Sequence, residues 1–220
     1  MRIFSLSERA ITVEFGNEIS TDLNDRAIAL AEYFDRHPFA GYVESLAAYA
    51  STTIFFRPAQ VSVKTHQTAA ATVRGEIEEA LDKLGARDAT ATRRIEIPVS
   101  FAPSDSPDLD EVARSSRLTA NEVKEIFLSK DYRVYMIGFL PGFPYMGEVD
   151  ERIAVPRKAT PRTRVPRGSV GIAGRQTGIY PFDSPGGWQI IGRTEMEMFH
   201  AVSLSTLATG DVVRFVDIAE

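Results

Sequence analysis

The sequence contains no cysteine. That excludes disulfides, thiolate metal sites and a thiol nucleophile, and it fits a cytoplasmic protein. Histidine is scarce: His37, His66 and His200 are the only three, and none lies near another. A histidine-built metal centre is therefore not expected, and the metal-ligand prediction is none. No apolar run approaches the ~20 residues of a membrane span, and the opening MRIFSLSERA lacks a signal-peptide core. The formal net charge of −5 argues against a general nucleic-acid binder. No G-x-x-x-x-G-K-[ST] loop is present, so nucleotide binding of the P-loop type is excluded. No G-x-S-x-G nucleophile elbow is present either. What remains is a chain of 220 residues, 44% apolar and 25% charged. This is ordinary globular composition, long enough for one large domain or two small ones.

The first ninety residues alternate between strand-like and helical patterns. RIFSL and AITVEF are short β-type runs. After Ser20, a natural N-cap, residues Leu23, Ala27, Leu30, Ala31 and Phe34 recur at helical steps until His37-Pro38. YVESLAAYA and TTIFFR are further strands. Val73, Ile77, Ala80, Leu81 and Leu84 mark a second helix, with Gly85 as its stop, and RRIEIPVSF is a strand whose Pro98 implies an edge. The order ββαββαβ predicts a small α+β sandwich over residues 1–90. Beyond a Pro- and Asp-rich connector, Asp108 with Glu111 and Thr119 with Glu122 read as caps of two short helices. Short β-type runs then alternate with turn signals to the end (SVGIA, GIYPF, WQIIGRT, DVVRFV), the pattern of a barrel-like β domain over residues 91–220.

Three stretches carry candidate chemistry. In VPRKATPRTRVPRGS, Pro-Arg pairs recur every five residues, at Arg157, Arg162 and Arg167. From Asp150 to Arg175 seven basic residues face two acidic ones, a local charge of +5. Prolines stiffen this ribbon, so guanidinium groups, including Arg164, are held with little entropy left to lose, which suits a carboxylate or phosphate. A solvated loop is the plainer reading. The turn GFLPGFPYMG carries Phe139, Phe143 and Tyr145, either plugging the barrel or walling a ligand pocket. The segment Gly168–Thr194 holds seven glycines, among them Gly186 and Gly187. They serve either barrel corners or a concavity of exposed amides. Gln176, Tyr180, Ser184 and the single tryptophan, Trp188, add polar and stacking groups there. Glu148, Asp150 and Asp183 are nearby carboxylates, but no spacing marks an acid/base pair, and the catalytic residues stay unknown.

The block YMIGFLPGFPYMGEVD…PRKATPRTRVPRGSVGIAGRQTGIYPFDSPGGWQIIGRT resembles the kinase-A-inhibitor/allophanate hydrolase subunit 1 family. The upstream IPVSF…PDLDEVARSSRLTANEVKEIF and the terminal TGDVVRFV also match, so the likeness spans essentially the whole chain. It implies an N-terminal α+β domain and a C-terminal cyclophilin-like β-barrel. Carried over by motif, Arg157, Arg162, Arg164 and Arg167 fall in the Pro-Arg block. Gly171, Gln176, Thr177 and Tyr180 fall in GIAGxQTGIYP, and Ser184, Pro185, Gly186, Gly187 and Trp188 in SPGGW. The sequence departs from the family pattern at Ser100-Phe101, at Phe127 in place of a common histidine, and at Glu195 in place of a usual proline.

The resemblance implies the B component of a heteromeric, ATP-dependent 5-oxoprolinase, converting 5-oxoproline to L-glutamate. It would act with a C-type partner (allophanate hydrolase subunit 2-like) and a third subunit. ATP would be used by the complex, at a site not assignable to this chain. Two other roles remain open: the carboxyltransferase component of a urea-carboxylase-type enzyme, or a non-enzymatic inhibitor of a histidine kinase. No Ala-Met-Lys-Met stretch is present, so any biotin would ride on another chain. Either substrate is a small polar amide.

Overall fold

The structure, a computed structural model, describes residues 1–63, 67–84, 92–202 and 204–219. His66 and Gly85 lie outside them. The backbone divides into two compact units, Met1–Ala91 and Thr92–Glu220.

In the first unit, β1 (Arg2–Ser7), β2 (Ala10–Glu14), β3 (Tyr42–Ala47) and β4 (Ser51–Phe56) form an antiparallel sheet in the order β1-β2-β4-β3. Two helices, α1 (Thr21–Arg36) and α2 (Ala69–Lys83), complete it. Ser20 caps α1 by accepting from the Leu23 amide, and Thr68 caps α2 by accepting from the Ala71 amide. Each satisfies an N–H that the first helical turn leaves unbonded. The helical stripe of Ala27, Leu30 and Phe34 on α1, with Val73, Ile77 and Ala80 on α2, is buried in one cluster with Ile11, Val13, Ile54 and Phe56 of the sheet. His37 terminates α1, its backbone N–H donating to the Tyr33 carbonyl.

The strand that closes the sequence-level ββαββαβ series does not join this sheet. β5 (Arg94–Val99) pairs in parallel with β13 (Val212–Asp217), in the second unit. That unit adds α3 (Leu109–Ser116), α4 (Ala120–Leu128), β6 (Asp131–Ile137), β7 (Pro144–Gly147), β8 (Arg162–Val165), β9 (Ser169–Ala173), β10 (Gln176–Ile179), β11 (Ser184–Gly186) and β12 (Gln189–Arg193). Seven strands run in the order β12-β9-β10-β7-β6-β13-β5, and β8 pairs separately with β11. The two edge strands meet at one end. Ser100 and Arg193 exchange backbone hydrogen bonds of 2.7 and 2.9 Å, curling the sheet into a barrel-like form. Pro98 sits on edge strand β5, where its missing N–H breaks no ladder.

Alternation along the strands sets up two faces. Val170 and Ile172 of β9, Ile179 of β10, Met146 of β7 and Val134 of β6 point into the main core, joined by Val112 of α3 and Val123 and Phe127 of α4. Phe127 is fully buried and stacks on Phe215 at 4.9 Å. The alternate positions, Gly171, Ala173, Gly178 and Tyr145, face the other way. Gly171 and Gly178 strip that outer face to backbone. A Cβ on Gly178 would lie 2.8 Å from the Phe143 ring, and one on Gly171 would lie 3.0 Å from Trp188 Cβ. Glycine is required there so that rings can lie on the sheet.

Candidate functional site

On this outer face Phe143, Val165, Ala173, Tyr180, Trp188 and Ile190 form a second cluster, with Leu140 and Tyr145 packed against it. Phe143 lies at its centre. Its ring is 4.8 Å from Tyr145, 5.3 Å from Tyr180 and 5.5 Å from Trp188, the last two edge-to-face. Tyr145 and Trp188 are 5.8 Å apart. The aromatics of the GFLPGF turn thus do not plug the barrel interior; they pave its outside. Phe139, at the turn tip with a φ of 68°, is 62% exposed and meets Phe143 edge-on at 5.6 Å.

The guanidinium of exposed Arg157 lies over the Trp188 ring, 5.8 Å from its centroid, within cation–π range. Tyr145 is half-buried. Burial pushes its phenol up, and the positive charge of Arg157 works against that rise. Tyr180 is buried, and desolvation raises its hydroxyl against a backbone hydrogen bond at Trp188 and the charges of Arg157 and Arg162. Its oxygen packs where a side chain on Gly186 would have to go, so Tyr180 ties β11 to the aromatic cluster. Gln176 is half-buried and shares the outer face by its register two residues before Gly178.

The rest of the basic ribbon is already neutralised. Arg152 pairs with Asp150 at 3.0 Å, Arg164 with Asp183 at 2.6 Å, and Arg167 with Glu197 at 3.1 Å. Arg175 spans Glu148 at 2.6 Å and Glu151 at 3.0 Å. Lys158 and Arg162 share one buried carboxylate, Asp108. Among the described residues, Arg157 alone of the seven basic residues between 150 and 175 has no acidic partner.

Asp108 is the residue that sequence reading missed. It occupies the N-cap position of α3 but makes no side-chain cap bond. Its carboxylate is 2% exposed and turns to the ribbon instead. Oδ1 accepts from Arg162 at 2.6 Å and Lys158 at 2.9 Å, and Oδ2 accepts from the Ile190 amide at 2.6 Å. The Asp108 amide donates back to the Ile190 carbonyl at 2.9 Å. Burial works to raise this carboxyl. The hydrogen bonds from Arg162, the Ile190 amide and Lys158 outweigh it and hold the group below the usual carboxylate range. Glu111 does not close a capping box; it pairs with Lys158 at 3.1 Å. Thr119 and Glu122, in contrast, form the capping box that their spacing predicts.

The structure therefore brings Arg157, Trp188, Tyr180 and Gln176 to one sheet face and adds Phe143 and Tyr145. Arg162 lies half-buried on Asp108, with Nη1 enclosed and unpartnered. Arg164 and Arg167 point to Asp183 and Glu197. Ser184 is buried in β11, its hydroxyl donating to the Pro185 carbonyl at 3.3 Å. Gly187 contributes its carbonyl to the Lys158 amide at 2.7 Å.

A family model described as "Carboxyltransferase domain, subdomain C and D" matches residues 1–207. The chain belongs to this family. It is 41% identical over its full length to the B component of 5-oxoprolinase from Bacillus subtilis, covering 93% of that protein. It is 48% identical to the B component of 5-oxoprolinase from Haemophilus influenzae, over 56% of this chain and 59% of that one. A putative urea carboxylase of Emericella nidulans is 36% identical over 40% of the chain, which spans only 7% of it. The solved structure of TTHA0988 superposes with a TM-score of 0.82 at 37% identity. It covers 95% of this chain, which spans 40% of that longer one.

Proposed function

We propose that the chain serves as the B component of a heteromeric 5-oxoprolinase that opens 5-oxoproline to L-glutamate at the expense of ATP. The observation that carries this reading is the full-length similarity to the Bacillus subtilis 5-oxoprolinase component at 41% identity. The outer face supports it. A lactam is a small planar amide, and the half-buried Tyr145 lies near Arg157, the one unneutralised cation of the basic ribbon among the described residues, which is seated over buried Trp188. The urea carboxylase likeness is shorter and lower in identity, which ranks a carboxyltransferase role second.

The face does not suit ATP. A triphosphate calls for several unpaired cations or a cradle of amides, whereas Arg157 is the one unpaired cation of the basic ribbon among the described residues. This face is therefore not proposed as the nucleotide site, and the ATP used by the complex is not assigned to a site on this chain. The partners are a C-type protein (allophanate hydrolase subunit 2-like) and a third subunit. No helix among the described residues is long and apolar enough to cross a membrane, and the cytoplasm is the proposed compartment.

The test is co-purification of this chain with both partner proteins, followed by an assay of ATP-dependent glutamate release from 5-oxoproline. Release by the complex and not by this chain alone is expected. An intact, folded complex that releases none removes the reading.

A further inference from the structure

We propose that Arg157 is the carboxylate anchor of a substrate site beside Tyr145, and that it selects carboxylated lactams over neutral ones. This deepens the proposed function and rests on it.

Charge neutralisation singles out the residue. The ribbon's other six basic groups sit on Asp150, Asp108, Glu111, Asp183, Glu197, Glu148 and Glu151. A ligand anion would have to compete with an existing pair at each of them, and the one unpartnered nitrogen among them, Arg162 Nη1, is enclosed. Arg157 needs no such exchange.

Its placement is fixed before a ligand arrives, because both chain neighbours are tied down. The Pro156 carbonyl accepts from Gln189 Nε2 at 3.3 Å. The Lys158 amide donates to the Gly187 carbonyl at 2.7 Å, and its Nζ reaches buried Asp108 at 2.9 Å. Proline fixes its own φ just before the arginine. Backbone that is already ordered loses little entropy on binding. A guanidinium over an aromatic ring keeps its N–H fork for bidentate contact with a carboxylate.

The ligand chemistry follows from what adjoins the charge. Trp188 is buried under the guanidinium, and the half-buried Tyr145, 5.8 Å from it, presents part of its ring and a phenol that can donate to an amide oxygen. A carboxylate joined directly to a planar amide ring matches that array. A neutral lactam would meet Tyr145 and leave the cation unused.

Trp188 is the chain's only tryptophan, so its fluorescence reports the site directly. Two probes are titrated into the full chain: 5-oxoproline, and 2-pyrrolidinone, which is the same ring without the carboxylate. Saturable change with 5-oxoproline is expected, with 2-pyrrolidinone at least about 10-fold weaker. Arg157→Ala should weaken 5-oxoproline by about 10- to 100-fold, the range for losing a charge-assisted hydrogen bond. It should leave 2-pyrrolidinone unchanged, and Arg157→Lys should recover part of the loss.

In the assembled complex Arg157→Ala should raise KM by a similar factor, with kcat within about 2-fold of wild type. Arg74→Ala, which removes an exposed pair on α2, should change neither. An active complex whose KM ignores Arg157→Ala overturns the anchor and leaves the proposed function standing. An inactive wild-type complex in which this chain still binds 5-oxoproline through Arg157 removes the proposed function and leaves the anchor. A chain without titration in a complex without activity overturns both.

Discussion

Asp108→Ala is the substitution that most sharply tests the internal logic of the second unit. The change strips three donors of their acceptor at once. The Ile190 amide, buried on β12, loses Oδ2 at 2.6 Å. Leaving such a group unsatisfied costs about 1–3 kcal/mol. Arg162 loses its one acidic partner, while Lys158 keeps Glu111 at 3.1 Å and Gln189 at 3.3 Å. Removing one member of a fully buried ion pair costs about 3–5 kcal/mol. Here the two cationic side chains are 27% and 21% exposed, so water relieves part of the loss and ~1–2 kcal/mol is the sounder figure. The sum is roughly 2–5 kcal/mol, which for a unit of about 130 residues lowers Tm by roughly 7–18 °C.

The assay is thermal melting followed by Trp188 emission, since that residue lies in the same unit. The pH dependence gives an independent reading. The folded state holds the Asp108 carboxyl below its ordinary range, so the unfolded chain takes up the proton first as pH falls. The stability gap between wild type and Asp108→Asn should be full above about pH 4 and should shrink as pH drops through the depressed folded value. An Asp108→Ala protein melting within about 2 °C of wild type, or a gap that widens in acid, would refute the assignment.

Two further substitutions test the surroundings. Arg164→Ala removes a pair whose side chains are 75% and 44% exposed, and a stability change below about 0.5 kcal/mol is expected in urea unfolding. Arg162→Ala, two residues earlier on the same strand, should cost several times more because its carboxylate partner is buried. Gly178→Ala would drive a methyl to 2.7 Å from the Pro144 carbonyl and 2.8 Å from the Phe143 ring. A loss of about 1–3 kcal/mol is expected, together with a shifted Trp188 emission as the Phe143 ring packed against it moves.

Local chemistry was legible in the sequence. Ser20, Thr119 with Glu122, and Pro98 each act within a few residues, and each does in the structure what its side chain dictates. The barrel-like second unit was legible for the same reason, because strand alternation and glycine turns are short-range signals. Asp108 was not. It reads as a helix cap, since Asp before an apolar helical stretch favours that role, yet its partners lie 50, 54 and 82 residues away. No spacing rule reaches so far. The strand pairing of β5 with β13 has the same character, as does the choice of face for Phe143 and Tyr145. A one-residue change of register exchanges inside for outside, and only the contacts of Gly171 and Gly178 decide it.

The basic ribbon shows why density of charge along a chain is a poor guide to where an anion binds. Its local +5 is real, but the acids that cancel it come from α3, from the Asp183 turn and from the Glu197 loop. Each ion pair removes a guanidinium from competition, because a ligand must first displace a carboxylate held at intramolecular concentration. Proline spacing stiffens the whole ribbon alike and cannot separate one arginine from the next. The separation comes from tertiary structure, which leaves Arg157 over a buried tryptophan and without a counter-ion among the described residues. A site built this way needs few charges. With its competitors neutralised, a single unpaired cation seated on a buried tryptophan is, on the proposal above, enough to distinguish an anionic ring from a neutral one.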